Sequence, residues 1–528
     1  MSSSRIMLAA TAATFALVAT GGSVHADGNL HNVNHIIIVM QENHSFDNYF
    51  GVLPYAVGSP YHGGAGACAS NDHTCVDGLS CTRNSSGNYT CTNSNLDDDD
   101  SRPVVFHDAS YCTRPDLQHS WPGSHKEANF NDPAGALAFS PNDGFVLVND
   151  ADEQPDTVET PTDDDTIGFY NEDDLPFYYA LAERFAIDDR YFCSVIGPTF
   201  PNRSYEMAAT SFGHLTTNEI FPPDGGYKPI TGTIFDLLDQ NGVNWVNYYS
   251  DLPTSFIFRL GDPHAKQVGS PGPPATGFFA DAAAGTLPPV AFIDPSFFKD
   301  QNINGLTCET DEHPPSDIRA GQYFVSQLVN AARNGPNWND SIVFITYDEH
   351  GGFYDHVAPA PARQGGALNP DGINPGQCED LSNPPASEQP GGGAQCGNQS
   401  GSCTPGSSCA DAAAICPGFT PTGPYPANCA NFNQLGFRVP FIAVSPFSKP
   451  HYVSHTVGDH TSLLALIEKR FLSLTNKKQA KRPHLTARDL SASTLEDMFD
   501  FNKAPAKNTS VPTAPPPSAT DPGCSSCS

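Results

Sequence analysis

A continuous apolar run near the start of the chain, His35-Ile-Ile-Ile-Val-Met40, is rich in β-branched residues. Such runs are typical of a strand buried on both faces of a parallel sheet, because a strand with one solvated face alternates apolar and polar residues. The run ends abruptly in the polar residues Gln41-Glu42-Asn43. The sequence therefore predicts a central strand whose carboxyl end delivers polar side chains to one edge of a sheet.

Further apolar stretches alternate with helical patterns along the chain. Helix starts are signalled by capping residues such as Thr233 and Ser316, and helix ends by glycines such as Gly242 and Gly335. These patterns predict strands at 243–249, 290–293, 342–347 and 441–444, and helices at 233–238, 316–333 and 462–471. Alternating strands and helices indicate an α/β fold with a mostly parallel sheet covered by helices on both faces.

The first 26 residues have the pattern of a secretory signal peptide. Arg5 precedes an apolar run from Ile6 to Thr20, and Val24-His25-Ala26 resembles the small-residue cleavage site of a signal peptide. No later run approaches the roughly 20 apolar residues of a membrane-spanning helix. We therefore expect a secreted or periplasmic protein with no transmembrane segment in the mature chain. One large domain is expected over 27–502, followed by a disordered Pro/Ser-rich tail over 503–528.

Fifteen cysteines follow the predicted signal peptide. In an exported protein they predict disulfides rather than free thiols, and the odd count leaves one cysteine unpaired. Most of them fall in two segments rich in Gly, Pro and Ser, at about 58–112 and 364–430. We interpret these segments as surface insertions stapled by disulfides whose pairing stays open. The cysteines form no two CxxC pairs, which argues against structural zinc.

The formal net charge of −32 restricts the partners of the protein. It argues against a nucleic-acid partner, because that binding depends on lysine and arginine neutralising phosphates. An anionic membrane would also repel the chain, and no basic amphipathic helix is evident. The charge therefore favours soluble ligands or zwitterionic lipids, and it leaves the oligomeric state open.

Polar residues directly follow two predicted strands, at the edge where an open α/β sheet binds its ligands. Glu42 and Asn43 follow the first strand, and Asp348, Glu349 and His350 follow a later one. The carboxylates would repel one another without a cation, and with the amide they form an oxygen-rich site for one divalent ion. Oxygen ligands favour Ca, Mg, Mn or Fe, and a carboxylate-rich Zn site is also compatible. The alternative is that each cluster only caps the next helix.

The segment Gly197-Pro198-Thr199-Phe200-Pro201-Asn202-Arg203 places a hydroxyl among prolines, with an arginine four residues later. A threonine hydroxyl needs a base or a metal to act as a nucleophile at neutral pH. The planar guanidinium of Arg203 is suited to hold a phosphate oxygen. The alternative is a tight loop in which Thr199 is a capping hydroxyl.

Seven motifs occur along the chain in the order found in a known family. They are Gln41-Glu42-Asn43-His44-Ser45-Phe46-Asp47-Asn48-Tyr49-Phe50-Gly51, Asp116-Leu-Gln-His119-Ser-Trp121, Asp174-Leu-Pro-Phe-Tyr-Tyr, Gly197 through Arg203, Glu312-His313-Pro314, Asp348-Glu-His-Gly-Gly-Phe-Tyr-Asp355-His356 and Asp459-His460-Thr461-Ser462. With these motifs the chain resembles the bacterial phospholipase C and acid phosphatase family of phosphoesterases. The resemblance runs from about residue 33 to residue 471.

The resemblance implies an alkaline-phosphatase-like α/β fold. It also implies a divalent metal ion surrounded by Glu42, Asn43, Thr199, Asp348 and Glu349, with Thr199 in the nucleophile position. The pattern threonine, any residue, proline, any residue, arginine is also similar to the sulfatase signature. Sulfatases carry a modified cysteine or serine at the first place, so a threonine there argues against sulfatase chemistry.

The remaining motif residues receive their roles from the same resemblance. The residues expected to be catalytic are Thr199, His119, His313, Arg203 and Asp355. Those expected to contact the substrate are Asn43, His350 and His356. His119 and His313 match histidines that contact phosphoryl oxygens or the leaving group. Asp355 is expected either in the site or in a structural hydrogen bond, and His44, Asp47, Asp459 and His460 are alternatives for supporting or capping roles.

We predict a secreted, metal-dependent phosphoric-ester hydrolase of phospholipase C type. It would cleave a phospholipid to diacylglycerol and a phosphorylated head group through a phosphothreonine intermediate. The close alternative is an acid phosphatase of broad specificity that acts on soluble phosphomonoesters with the same residues. A third alternative is a non-catalytic surface-binding protein that keeps the metal site for stability.

Overall fold

The fold is organised around one eight-stranded sheet with the order β10-β9-β11-β1-β14-β15-β8-β16. The computed structural model describes residues 29–517 except 64–66, 99, 114–115, 136–139, 152–162, 220, 224, 299–300, 304–305, 363–370, 381–395, 397–402, 421–424, 427–428 and 473–482. The strands are β1 His35–Gln41, β2 His62–Gly63, β3 Cys75–Val76, β4 Cys81–Arg83, β5 Tyr89–Cys91, β6 Phe106–His107, β7 Gly168–Phe169, β8 Ala186–Asp188, β9 Trp245–Tyr249, β10 Ala265–Gln267, β11 Val290–Asp294, β12 Gln301–Ile303, β13 Leu306–Cys308, β14 Ser341–Tyr347, β15 Phe441–Val444 and β16 Val453–Ser454. The helices are α1 Phe46–Phe50, α2 Trp121–Ala128, α3 Phe145–Ala151, α4 Pro176–Ala182, α5 Thr199–Ala208, α6 Ile234–Gln240, α7 Gly277–Ala284, α8 Ile318–Asn334, α9 Ser408–Ala414, α10 His460–Ile467 and α11 Ala487–Ser491.

Strand β1 lies between β11 and β14 and runs parallel to both. Strand β15 runs antiparallel to its neighbours β14 and β8, whereas the other strand pairs of this sheet are parallel. The predicted mostly parallel α/β sheet is therefore confirmed. Every residue of β11, β14 and β15 is buried, so both faces of the central sheet are covered. Helices α7 and α8 pack against each other, as do α5 and α10.

Predicted elements are present with shifted ends. The N-cap of α8 is Asp317 rather than Ser316, so the helix starts one residue later than its predicted cap implied. Helix α10 begins at His460 rather than at Ser462, and a π-helical turn over Glu468–Leu472 follows it. These shifts are small because capping side chains mark a helix end only to within a residue or two.

Disulfides are present in both predicted insertions. The bonded pairs include Cys68–Cys75 and Cys81–Cys91 in the first, and Cys378–Cys396, Cys403–Cys409 and Cys416–Cys429 in the second. Cys112 and Cys308 are also disulfide-bonded. Cys193 is the free cysteine of the described residues and is buried. Cys524 and Cys527 lie outside those residues.

The sequence predicts a signal peptide at one end of the chain and a disordered tail at the other. The predicted signal peptide lies outside the described residues. At the other end, 503–517 continue past the predicted limit of the domain, and Ala514 is buried in the main core. Val511 also packs against that core, and the predicted disorder of the tail stays a prediction. Among the described helices, none has the length and apolar character needed to cross a bilayer.

Candidate active site

The ends of β1 and β14 bring the predicted acidic residues together. Gln41 and Tyr347 are register partners at the ends of these parallel strands, so Glu42 and Asp348 follow side by side. The backbone N–H of Asn43 donates to Oδ1 of Asp348 over 3.2 Å. All of these side chains are buried. The structure thus delivers the predicted ligands to one edge of the sheet, as the strand pattern implied.

Because these carboxyl groups are buried, ionising them costs free energy. Burial, with the neighbouring charge of Glu42, raises the pKa of Asp348 to about 8. Burial also raises the pKa of Glu349 to about 7. Within the described part of the chain, Oδ2 of Asp348, Oε1 of Glu349 and the amide oxygen of Asn43 make no hydrogen bond. Buried acceptors of this kind are normally satisfied, so these three oxygens fit a hard divalent cation.

Glu349 is held in place by two neighbours. The backbone N–H of Gly351 donates to its Oε2 over 2.8 Å, and Nδ1 of His350 lies 3.2 Å from the same oxygen. The other ring nitrogen of His350 lies 2.7 Å from Oε2 of Glu127. His350 is buried with both ring nitrogens next to carboxylates, where it can orient Glu349. Its predicted contact with substrate stays a prediction.

Helix α5 carries the predicted nucleophile at its first position. Pro198 is the N-cap, Thr199 follows, and Arg203 lies one turn later on the same side of the helix. Free backbone N–H groups and the helix dipole favour an anion at this end. The Thr199 hydroxyl is therefore placed where a phosphoryl group would be stabilised.

Arg203 faces the acidic cluster rather than solvent. Its Nε donates to Oε1 of Glu42 over 3.1 Å and lies 3.4 Å from Oδ2 of Asp348. The ring of Phe297 covers the guanidinium, with 5.1 Å from its carbon to the ring centroid. Arg203 is buried against carboxylates, where its charge can neutralise and orient the cluster. Its predicted contact with phosphate stays a prediction.

His119 and His313 meet edge to face, with ring centroids 5.7 Å apart. Nε2 of His119 lies 3.8 Å from Oε1 of Glu349, and its Nδ1 lies 2.7 Å from the carbonyl oxygen of Leu117. One carboxylate oxygen of Asp116 and one nitrogen of each ring lie within 4.8 Å of one another. The two predicted histidines are therefore together, and one of them reaches the acidic cluster.

Neighbouring carboxylates raise the pKa of both histidines. Burial opposes the charge on His313, but Asp116, Glu42 and Asp311 outweigh it and raise the pKa of the ring to about 10. Burial also opposes the charge on His119, yet Glu349 and Asp116 raise its pKa above the ordinary value. The site therefore places beside the acidic cluster two rings whose charged form is favoured, and such rings can bind or protonate an anionic substrate.

A cavity of about 250 Å³ opens beside His119. It is lined by residues 116–120 and 216–218 and by Pro198, which directly precedes Thr199. Ligand pockets usually measure roughly 300–1,000 Å³, so this cavity suits a small group. Through Pro198 the cavity lies next to the first turn of α5, which begins with the predicted nucleophile.

Asp355 and His356 belong to a separate network of buried ion pairs. Nε of Arg438 lies 3.0 Å from Oδ1 of Asp355, and Nδ1 of His356 lies 2.6 Å from Oδ2 of Asp47. Nε2 of His356 lies 3.3 Å from Oδ1 of Asp77. The structure places Asp355 and His356 in these ion pairs, and their predicted roles in catalysis and substrate contact stay predictions. For Asp355, the contact with Arg438 is the structural hydrogen bond that was its other expected role.

Other motif residues support the site from behind. Nε2 of His44 lies 2.9 Å from the carbonyl oxygen of Glu312, and Nε2 of His460 lies 2.7 Å from that of Asp348. Asp459 is the N-cap of α10, as one of its predicted alternatives stated. These residues fix the backbone that presents the ligands.

Sequence reasoning missed two buried acids next to the cluster. Asp294 ends β11, and its Oδ1 lies 3.7 Å from Nη1 of Arg203. It follows the apolar run at 290–293, so the rule that located Glu42 could have located it as well. Asp311 accepts a hydrogen bond through its backbone carbonyl from the N–H of Glu42 over 2.8 Å.

The sequence motif Glu312-His313-Pro314 gives no role to Glu312. In the structure its buried carboxylate is surrounded by a cage of hydroxyl groups that donate hydrogen bonds to it. Tyr49, Tyr178 and Tyr347 donate to its carboxylate over 2.5, 2.6 and 2.6 Å. Burial raises its pKa to about 7. Because His313 follows directly, the cage anchors the segment that presents this histidine. No local pattern signals it, since the three tyrosines come from distant parts of the chain.

Comparisons with known proteins agree with this arrangement. The Phosphoesterase family model matches residues 33–472. Non-specific phospholipase C6 of Arabidopsis thaliana is 29% identical over 497 residues, covering 92% of this chain and 76% of the relative. Non-specific phospholipase C1 of the same plant is 28% identical over 483 residues, covering 90% and 72%. Phospholipase C B of Mycobacterium tuberculosis is 28% identical over 515 residues, covering 92% and 81%.

Proposed function

The chain belongs to the Phosphoesterase family, and from this premise we propose that Thr199 and one divalent metal ion cleave phospholipids to diacylglycerol and a phosphorylated head group. The chain is a hydrolase of phosphoric ester bonds of phospholipase C type, as its motifs predicted. The observation that carries the mechanism is the contact of Arg203, on the helix that starts with Thr199, with Glu42 and Asp348.

The residues that would hold the ion are Glu42, Asn43, Thr199, Asp348 and Glu349. Asn43, Asp348 and Glu349 each have a buried oxygen that makes no hydrogen bond among the described residues, which supports this assignment. When bound, a divalent ion lowers the pKa of a hydroxyl and neutralises phosphoryl charge. The ligand set suits Ca, Mg, Mn or Fe, and a carboxylate-rich Zn site also fits it.

In the first step Thr199, already deprotonated as the alkoxide and restored to that form by the second step, attacks phosphorus, and the bond from phosphorus to the glycerol oxygen breaks. The leaving diacylglycerol alkoxide takes a proton from His119, whose ring borders the cavity. His313 keeps its proton at neutral pH and faces the phosphoryl charge. The head group stays on phosphorus, as a phosphothreonine diester.

In the second step water attacks the same phosphorus and releases Thr199 with the phosphorylated head group. His119 now takes a proton from that water, since it gave one away in the first step. Arg203 contacts no substrate in this scheme. It holds Glu42 and Asp348 while negative charge moves through the site.

The finer structural and cellular assignments belong to the same proposal. An alkaline-phosphatase-like arrangement of the sheet is supported by the mostly parallel strands and by ligands at their carboxyl ends. Secretion is supported by the disulfides, which persist in oxidising compartments. Cleavage of the signal sequence in residues 1–26 would give the mature chain.

Turnover of the mature protein on phosphatidylcholine and on p-nitrophenyl phosphate tests the proposal directly. We expect chelator-sensitive release of diacylglycerol to dominate. Thr199→Ala should lower kcat by at least about 10³-fold, because the nucleophile is lost. Thr199→Ser is the matched control, since it keeps a hydroxyl at the same position and should retain measurable turnover with a phosphoserine in place of phosphothreonine.

The outcomes separate the alternatives. Dominant cleavage of p-nitrophenyl phosphate would make the enzyme an acid phosphatase. Full activity of Thr199→Ala would overturn the nucleophile assignment. No Thr199-dependent activity on either substrate would favour a non-catalytic surface-binding protein.

A further inference from the structure

Four large apolar side chains are exposed in one region of the surface. Phe221 is 73% exposed, Leu260 and Phe298 are each 58% exposed, and Ile230 is 43% exposed. Isolated exposed apolar residues are ordinary, so the question is whether these four form one surface. They come from three segments, at 217–232, 251–260 and 296–298.

The middle segment contacts both of the others. The rings of Phe221 and Phe256 lie 6.2 Å apart, and the backbone N–H of Tyr227 donates to the carbonyl of Ile257 over 2.8 Å. On the other side, the N–H of Phe298 donates to Oδ2 of Asp251 over 2.7 Å. The three segments therefore form one continuous region. We name the four exposed residues Phe221, Ile230, Leu260 and Phe298 the rim surface.

The rim surface adjoins the active site at two points. Phe297, the residue before Phe298, covers the guanidinium of Arg203. Thr217 and Asn218 line the cavity beside Pro198 and precede Phe221 by only a few residues. Phe221 and Phe298 therefore follow closely, along the chain, residues that line the cavity or cover the site.

We propose that the rim surface inserts into the surface of a zwitterionic phospholipid bilayer and presents the lipid head group to the cavity. This inference rests on the proposed function, because it names the physical form in which that site takes its substrate. Exposed aromatic and aliphatic side chains favour the boundary between head groups and acyl chains. The net charge of −32 opposes an anionic bilayer, so the charge balance selects a zwitterionic one.

One basic residue beside the rim surface, Arg259, is already neutralised. Arg259 precedes Leu260, and its guanidinium is paired with Asp236, Asp239 and Asp262 at 2.6, 2.6 and 3.1 Å. Attraction of anionic lipid by this arginine is therefore weakened, and we expect binding to depend on apolar insertion.

The test combines a double variant, Phe221→Ser with Phe298→Ser, and two forms of one lipid. Vesicles of phosphatidylcholine present a bilayer, whereas dihexanoylphosphatidylcholine below its micelle concentration presents single molecules. We expect about 100-fold lower turnover on vesicles, since each lost ring weakens insertion by about tenfold. Turnover on the single molecules should stay within about twofold of wild type. Val57→Ser is the matched control, because Val57 is 78% exposed outside these segments, and it should leave both activities as they are.

Flotation of Thr199→Ala protein with vesicles measures binding without turnover. We expect binding to phosphatidylcholine vesicles, weaker binding when anionic lipid is added, and loss of binding on adding the two serine substitutions. Equal flotation with and without those substitutions would overturn the inference. Tighter binding to anionic vesicles would also overturn it. So would a wild-type protein that is a dimer, if the two substitutions dissociate the dimer and turnover on vesicles persists.

Failure of the proposed function has a different signature. In that case the wild-type protein would cleave p-nitrophenyl phosphate but neither form of phosphatidylcholine. Flotation would still decide whether the rim surface binds a bilayer.

Discussion

The guanidinium of Arg203 reaches one oxygen of Glu42 twice, with Nε at 3.1 Å and Nη2 at 3.0 Å from Oε1. Glu42 follows β1, and Arg203 lies four residues after Thr199 in α5. The contact therefore ties the start of the nucleophile helix to the edge of the sheet. A shift of α5 by even one turn would separate the hydroxyl from its predicted metal ligands.

Replacement of Arg203 by methionine should destabilise the protein and impair turnover. The variant leaves Glu42 and Asp348 buried without their cation, and breaking a buried pair costs about 3–5 kcal/mol. We expect urea unfolding to show a loss of this size and kcat to fall. Arg184→Met is the control, because Arg184 is partly exposed and makes a 4.0 Å contact with Glu183 and a hydrogen bond to the carbonyl of Ala180, with no buried ion pair among the described residues. An Arg203→Met protein as stable as wild type would contradict the positioning role.

Gly351 allows a comparison between two left-handed glycines. It has a φ of 64°, and an added Cβ would lie 2.2 Å from the carbonyl oxygen of Asn43, whereas Gly242 has a φ of 67° and open space around it. Alanine at either position adds backbone strain of about 1–2 kcal/mol. Only Gly351→Ala should also displace Asn43 and Glu349, so we expect it alone to weaken metal binding and turnover. Equal metal affinity of the two variants, measured by calorimetry, would argue against this coupling.

Glu312→Gln tests the tyrosine cage. The amide group would bring N–H donors against tyrosine hydroxyls that now donate, and each buried group left unsatisfied costs about 1–3 kcal/mol. We expect a lower kcat with a smaller change in KM, because His313 is displaced while the cavity is kept. Tyr178→Phe removes one donor and should have a smaller effect on both unfolding and kcat. A Glu312→Gln enzyme with the wild-type pH profile and kcat would remove Glu312 from the positioning residues.

The central sheet and the acidic cluster were predictable because their signals are local. The apolar run before Glu42 and the one before Asp348 each identify a strand, and parallel strands deliver their following residues to one edge. The same rule identifies Asp294 as a site residue, because it follows the apolar run at 290–293. Helix ends are predicted only to within a residue or two, because adjacent residues such as Ser316 and Asp317 are both suitable N-caps.

The roles of buried charged residues were less predictable. Arg203 was expected to bind phosphate, but its partner Glu42 lies 161 residues away in the chain. Asp355 was assigned to catalysis, but Arg438, 83 residues later, engages it. Spacing cannot tell which distant charge a buried group will meet. Such pairs are decided by the packing of the whole domain.

His356 should give the folding stability a characteristic pH dependence. Burial opposes its charge, but Asp47 and Asp77 raise its pKa to about 10. A raised folded-state pKa means that the stabilisation is fully present below the unfolded value of about 6.5 and is lost as the pH rises through about 10. The difference in unfolding free energy between wild type and His356→Gln should therefore shrink from pH 6 to pH 10. A difference that grows over this range in urea titrations would contradict the assigned ion pairs.

Removal of the metal should abolish turnover and lower stability, and Asp348→Asn should separate the two effects. A ligand present at 100 times its dissociation constant stabilises the folded state by about 2.7 kcal/mol, so we expect the melting temperature of the chelated protein to rise when the metal is restored.

Burial raises the pKa of Asp348 to about 8, so ionisation of its carboxyl group destabilises the metal-free fold as the pH rises above 3.8, the ordinary pKa of aspartate. Metal-free Asp348→Asn should therefore be at least as stable as metal-free wild type at pH 8 and should gain no stability from added metal. Asp239→Asn, at the partly exposed pair with Arg259, is the control that should keep the full response. Equal stabilisation of Asp348→Asn and wild type by the metal would exclude Asp348 as a ligand.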